Sequence, residues 1–203
     1  NTSWDDAHFE SCGQQWMLLA EPRCAVALVN QSSYGHDVSP AGGDEHTPTM
    51  GVMARLTLLR SPQSPDPHPD QGRHHIVYSL LTDARIESAH VEAARLNQPL
   101  QVRSGTVELP STARIEPVHG TAVIDAVKQA FDGFGDLVIR IHEAEGARSR
   151  VRLLLDQDGC VSEVDLLEDP IDEPTQQLPA STCSRVELTL RPFQILTLRV
   201  SQR

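Results

Sequence analysis

The sequence predicts an all-β fold class: a β-sandwich region carrying one short helix. Three observations predict it. Short apolar runs with a two-residue alternation recur along the chain. Clusters of Gly, Pro, Asn, Asp and Ser punctuate them. Only one segment, 83–99, is rich in the strong helix formers Ala, Glu, Arg and Leu.

The elements follow in chain order. "RCAVALVNQ" (23–31) is an apolar run closed by polar turn residues. "VMARLTLL" (52–59) alternates Val52, Ala54, Leu56 and Leu58 against Met53, Arg55 and Thr57, a strand with one face buried. "HHIVYSLL" (74–81) reads as another strand. A helix is expected from Ala84 to Leu96, because Pro99 stops what precedes it. "SPAGGDEHTPTMG" (39–51) and the acidic "LEDPIDEPTQQLPAST" (167–182) read as loops, and 96–110 as a joint between two parts. "LVIRIHEAE" (137–145) and "RVRLLL" (150–155) are strands; "DQDG" (156–159) predicts a hairpin turn before "CVSEVDLL" (160–167) returns. "RVELTLRPFQILTLRV" (185–200) is a long closing β stretch, with Pro192 at a bend, bulge or edge because it lacks a ladder donor.

Bulk properties exclude several function classes. The 203 residues carry a formal charge of −11, which disfavours nucleic acid and anionic membrane as partners. No apolar run reaches the ~18 residues of a spanning helix, so no membrane partner is expected. Cys12, Cys24, Cys160 and Cys183 form no CxxC pair, so a zinc ribbon is not expected. Four buried thiols are the expectation, a Cys160–Cys183 disulfide being weakly motivated. The sequons "NTS" at 1 and "NQS" at 30 weigh little, and the reading leans to a reducing, cytoplasmic location. Aromatic residues are only 4%, which disfavours a free-standing lectin that stacks sugars on rings.

The stretch "LLRSPQSPDPHPDQGRHH" (58–75) draws the chemical candidates. His68, Asp70, His74 and His75 could ligate a metal, but no HExxH helix or Cys supports them, and a Pro-stiffened loop is the commoner reading. Asp66 and Asp70 could be drawn as a glycosidase pair, but carboxylates are too common here for pairing to be read from sequence. "NQSSYGHD" sets Asn30, Tyr34, His36 and Asp37 after a strand end, where either a functional cluster or a hydrogen-bonded turn fits. There is no GxSxG elbow and no Gly-rich phosphate loop.

Several stretches, in order, resemble one family. "NTSWDDAHFESCGQQWMLLAEPRCAVALVNQSSYGHDV", "RLTLLRSPQSPDPHPDQGRHHIVYSL", "VIDAVKQAFDGFGDLVIRIHEAEGARSRVRLLL", "EVDLLEDP" and "LTLRPFQILTLRV" are similar to the C-terminal β region of the α-mannosidases of glycoside hydrolase family 38, cytosolic and bacterial branch. The resemblance implies that residues 1–104 are the second half of a large mutarotase-like β-supersandwich, and 105–203 a small terminal β-sandwich. It places the start at Asn1 inside a domain.

The resemblance also implies retaining hydrolysis of α-mannosides, assisted by zinc held on two His and two Asp. Nucleophile, acid/base and zinc ligands belong to an N-terminal catalytic domain and none maps here. This chain is therefore expected to contribute no catalytic residue, to bind no metal and to be inactive alone. Its implied partners are that catalytic domain and, through the whole enzyme, an α-mannoside glycan; a homo-oligomer is left open. Arg60, Asp66, Asp70 and His74 match a loop that walls the sugar subsite, and Asn30, Tyr34, His36 and Asp37 match a neighbouring turn. Departures from the family pattern fall at Gln31, usually Asp, at His142, usually Tyr, at Phe131, and in an insertion at 39–51. The rival reading is a stand-alone carbohydrate-binding or interaction sandwich.

Overall fold

The computed structural model describes residues 10–41, 51–100, 102, 104, 105 and 113–201. The chain divides into two compact units, 1–102 and 103–203. Strands dominate both, and the one α-helix among the described residues lies in the first.

The first unit holds β1 (Ser11–Cys12), β2 (Trp16–Ala20), β3 (Ala25–Asn30), β4 (Gly35–Pro40), β5 (Val52–Leu56), β6 (Tyr78–Thr82) and α1 (Ile86–Asn97). They form two three-stranded antiparallel sheets, ordered β1-β4-β5 and β2-β3-β6. The second sheet carries α1 on one face. Register places Leu18, Ala27 and Leu81 side by side there, and they pack with Ala84 and Ala89. Alanines at 89 and 93, both fully buried, let the helix axis approach the sheet closely. The Trp16 ring meets His90 edge-on at 5.1 Å, and the Ser79 hydroxyl donates to Glu92 at 2.8 Å. The Ser88 hydroxyl closes the helix start by accepting the Arg85 N–H at 2.8 Å.

The opposite face of that sheet is also apolar. Met17, Leu28 and Leu80 stand abreast, next to Leu19, Val26 and Tyr78. None of the six is buried, and Tyr78 and Leu80 are exposed. Leu56 and Leu58 line a cavity of about 240 Å³ together with Leu28 and Tyr78.

The second unit holds β7 (Ala113–His119), β8 (Ala122–Gln129), β9 (Leu137–Glu143), β10 (Ser149–Val164), β11 (Cys183–Leu190) and β12 (Ile195–Ser201). The strands run β11-β10-β12-β9-β8, with β7 on β10. The first half of β10 pairs with β11 and β7; its second half pairs with β12. One strand thus serves two layers, a β-sandwich. Between them lies the core, with Ile139 and Ile141 of β9, Leu196 and Leu198 of β12, Val151 and Leu153 of β10, and Leu188 and Leu190 of β11. Each strand contributes alternate residues, as a pleat requires.

The structure corrects several expectations. "DQDG" is not a hairpin turn: β10 runs straight through it, with only a register shift against β11 between Leu154 and Gly159. Gly159 is required for close approach instead, because a Cβ there would collide with Val200 of β12. Residues 74–77 lie outside β6, and β5 ends at Leu56. His36 and Asp37 lie on β4, because both pair with β5. The long closing stretch is two strands, with Pro192 in the turn between them and Phe193 at φ +56°. β2, β7 and β8 were not foreseen. The thiols are free but not buried: Cys12 and Cys24 are exposed, Cys160 and Cys183 half-buried. Most of the 39–51 loop and part of the 96–110 joint lie outside the described residues.

Candidate functional site

The 57–77 connection between β5 and β6 has no strand or helix of its own. It is ordered by polar contacts within it. The Asp70 carboxylate accepts the Ser61 N–H at 3.2 Å, the Ser61 hydroxyl donates to the Pro69 carbonyl at 3.3 Å, and His74 Nε2 donates to the Asp70 carbonyl at 2.7 Å. The two limbs are pinned together at their base. Ser61 (φ +43°) and Asp70 (φ +56°) take the left-handed backbone, which Asp tolerates better than most residues. Asp66 closes a local turn by accepting the His68 N–H at 2.8 Å, and His68 Nδ1 accepts from Gln71 at 3.1 Å.

The base of this connection borders an open cleft of about 500 Å³, lined by Glu10, Cys12, Tyr34, Leu59, Arg60 and Asp70, among others. Arg60 forms an ion pair with Glu10. Tyr34 is half-exposed and also lines the cleft. The cleft therefore offers a guanidinium, a phenol and carboxylates to a polar ligand. Such groups recognise vicinal hydroxyls by hydrogen bonding.

Behind the cleft lies a buried polar pair. Asn30 is 0% exposed and His36 4%. His36 Nδ1 donates to the Tyr34 carbonyl at 3.2 Å, which leaves Nε2 to accept from the Asn30 amide at 3.4 Å. Burial lowers the His36 pKa, and the Tyr34 carbonyl only partly opposes this. The ring is neutral and packs on Gly13, where a Cβ would stand 2.9 Å from Nδ1. The buried amide of Asn30 also leaves no room for a glycan, so the "NQS" sequon is not usable in this fold.

Of the eight sequence candidates, the structure gathers Tyr34, Arg60 and Asp70 at the cleft. Asn30 and His36 support Tyr34 from below. Asp37 points elsewhere, gripping Arg55 of the neighbouring strand through both carboxylate oxygens. Asp66 and His74 brace the loop. Sequence reasoning missed Glu10 and Cys12 on the cleft wall, and no motif signalled them. It also missed the ties that fix the turn after β3: Asn97 donates to the Asn30 carbonyl at 3.0 Å, and Gln31 to the Leu96 carbonyl at 3.2 Å. Gln31 thereby caps the end of α1, which an Asp could not do.

Among the described residues, no three His, Cys, Asp or Glu side chains stand together as a metal-binding group. Asp70, His68 and His74 make polar contacts within the loop.

Comparison with known proteins matches both units. A family model described as the glycosyl hydrolases family 38 C-terminal domain matches residues 1–68. A second, the family 38 C-terminal beta sandwich domain, matches residues 121–198. The chain is similar to Alpha-mannosidase 2C1 of Homo sapiens, at 35% identity over 98% of this chain and 18% of that protein. It is 34% identical to Alpha-mannosidase G of Dictyostelium discoideum over 72% of this chain and 13% of that protein. Alpha-mannosidase of Saccharomyces cerevisiae is 26% identical over 98% of this chain and 19% of its own length. The chain thus spans less than a fifth of the relatives it matches. With two family models in order on its two units, the chain belongs to glycosyl hydrolase family 38, as a C-terminal β region of its α-mannosidases.

Proposed function

We propose that this chain is the non-catalytic β portion of a retaining, zinc-dependent α-mannosidase, where it packs on the catalytic domain and helps wall the mannose subsite. Residues 1–104 belong to the large mutarotase-like sandwich, and 105–203 form the small terminal one. The observation that carries this reading is the cleft at which Tyr34, Arg60 and Asp70 converge beside a polar-pinned loop. The second apolar face of the β2-β3-β6 sheet supports the packing. Sheets covered on both faces read as near-continuous apolar runs, as "WMLLA" and "AVALV" do. Zinc is assigned to the catalytic portion of the longer enzyme. Four free thiols and a buried sequon support a cytoplasmic location.

The test uses the full-length enzyme and an aryl α-mannoside. Arg60→Ala and Tyr34→Phe should raise KM or lower kcat/KM by about tenfold, the scale of one or two hydrogen bonds to sugar hydroxyls. Unchanged constants in both variants would remove the cleft from the subsite. Residues 1–203 alone should not turn the substrate over, and turnover by that chain would overturn the non-catalytic assignment.

A further inference from the structure

β10 changes partners along its length, and one of its edges is left open where it does. β11 and β12 flank it on opposite edges. The β11 ladder ends at Gly159↔Cys183, while β12 pairs with 160–164. Beyond Gly159, the β11 edge meets only a single bridge among the described residues, Val164↔Pro170. Positions 160–163 therefore face no strand there, a gap with room for about three or four extended residues. A groove of about 710 Å³ opens along it, with 161–164 in one wall and Ile171, Pro174, Leu178 and Pro179 in the other.

The backbone groups that face the gap follow from the ladder. The Asp165 N–H donates to the Asp169 carbonyl at 2.9 Å beside the Val164↔Pro170 bridge, so it points to the open edge. Backbone direction alternates along a strand, so Val161 and Glu163 turn their N–H and C=O groups the same way. The opposite wall is poor in donors, since Pro170, Pro174 and Pro179 carry no N–H. That wall is held by its own bonds. The Glu163 carboxylate accepts the Thr175 and Gln176 N–H groups at 2.7 and 2.9 Å. The Gln176 side chain accepts the Thr189 N–H at 3.1 Å and donates to the Thr189 carbonyl at 3.0 Å. The slot is preformed, so little ordering entropy opposes filling it.

We propose that this gap is a recognition slot for another protein, filled by one extended apolar segment with Lys or Arg on its flanks. Three observations choose that occupant. An unpaired edge between two paired ends is met by an extended backbone, which brings both a donor and an acceptor to Val161. The Ile171, Leu178 and proline wall suits β-branched side chains such as Val and Ile. The surroundings are acidic: 156–173 carries eight Asp and Glu and no Lys or Arg. That charge attracts a basic flank and disfavours a second copy, which would bring a further −11. Walls that stand without an occupant suit reversible exchange with a separate molecule.

The experiment uses the full-length polypeptide that contains these residues and a fluorescein-labelled probe peptide, Lys-Lys-Val-Thr-Val-Lys-Lys. Binding is followed by fluorescence polarisation and its place by amide exchange. The expected result is saturable binding with exchange slowed in 159–164. N-methylation of the Val-Thr-Val amides removes the probe's main-chain donors and leaves the protein untouched, and it should weaken binding about tenfold or more. Glu in place of the flanking Lys should weaken it as well. Ile171→Asp should abolish it, while exchange in β9 stays unchanged. No saturable binding, as when the polypeptide's own chain fills the slot, would overturn the proposal. So would equal affinity of the N-methylated probe, or protection confined to other segments.

Discussion

The Asn30 side-chain amide donates to Nε2 of His36 across 3.4 Å, with both side chains buried. That geometry requires a neutral imidazole, because a protonated Nε2 has no lone pair to accept with. The folded-state pKa of His36 is lowered from 6.5 by burial. The unfolded chain therefore binds the proton more readily, and acid favours unfolding. The contribution is complete above about pH 6.5 and is lost as pH falls through the folded-state value. Urea unfolding of the first unit should give lower stability at pH 5.5 than at 7.5. His36→Gln should flatten this difference, and a profile unchanged by that substitution would show that another group governs it.

Glu143 is fully buried, and among the described residues no cation pairs with it. Burial alone would raise its pKa. The Phe193 and Glu145 N–H groups, the Ser149 hydroxyl and the Ala147 N–H together outweigh burial and hold it low. Its oxygens accept from Phe193 at 2.9 Å, Gly146 at 2.8 Å, Glu145 at 2.9 Å and Ser149 at 3.0 Å. Glu143→Gln turns an amide NH₂ toward one set of these donors. It should cost the second unit about 2–3 kcal/mol, read as a lower midpoint in urea. The wild-type contribution is present above the ordinary carboxylate pKa of 4.5 and fades as pH falls through the lowered one.

Gly159→Ala should destabilise the second unit by about 1–3 kcal/mol, the usual cost of overpacking. The new Cβ would overlap Val200 and approach the Ser201 carbonyl at 3.3 Å. Pairing the change with Val200→Ala should recover part of the loss, which a thermal melt of the double variant would read.

Gln31→Asp introduces the residue that the family resemblance implies at this position, and here it removes the donor to the Leu96 carbonyl. It should lower the stability of the first unit by about 1 kcal/mol, the net value of such a bond, with faster amide exchange at the end of α1.

Where a side chain's neighbours were set by period and composition, the sequence was readable. Of "VMARLTLL", the first five residues pair as a strand, and the helix expected at Ala84–Leu96 forms as Ile86–Asn97 with Ala89 and Ala93 buried. The β-sandwich class and the family resemblance were both legible. "DQDG" misled because turn propensity is local, whereas the course of β10 is decided by partners 24 to 41 residues away. "GHDVSP" concealed a strand because polar side chains can be satisfied across neighbouring strands, as Asp37 is by Arg55. At the candidate site, the loop was visible from its prolines, but its closure by Ser61 and Asp70 and the Glu10 wall depend on chain crossings that no pattern records.

Because β10 belongs to both layers of the second unit, neither layer has a free-standing existence. Loss of its first half strands β7 and β11; loss of its second half releases β12. Damage anywhere along these sixteen residues is felt by the whole sandwich. The unit should therefore melt in one step, and a protease that nicks β10 would dismantle all of it rather than trim an edge.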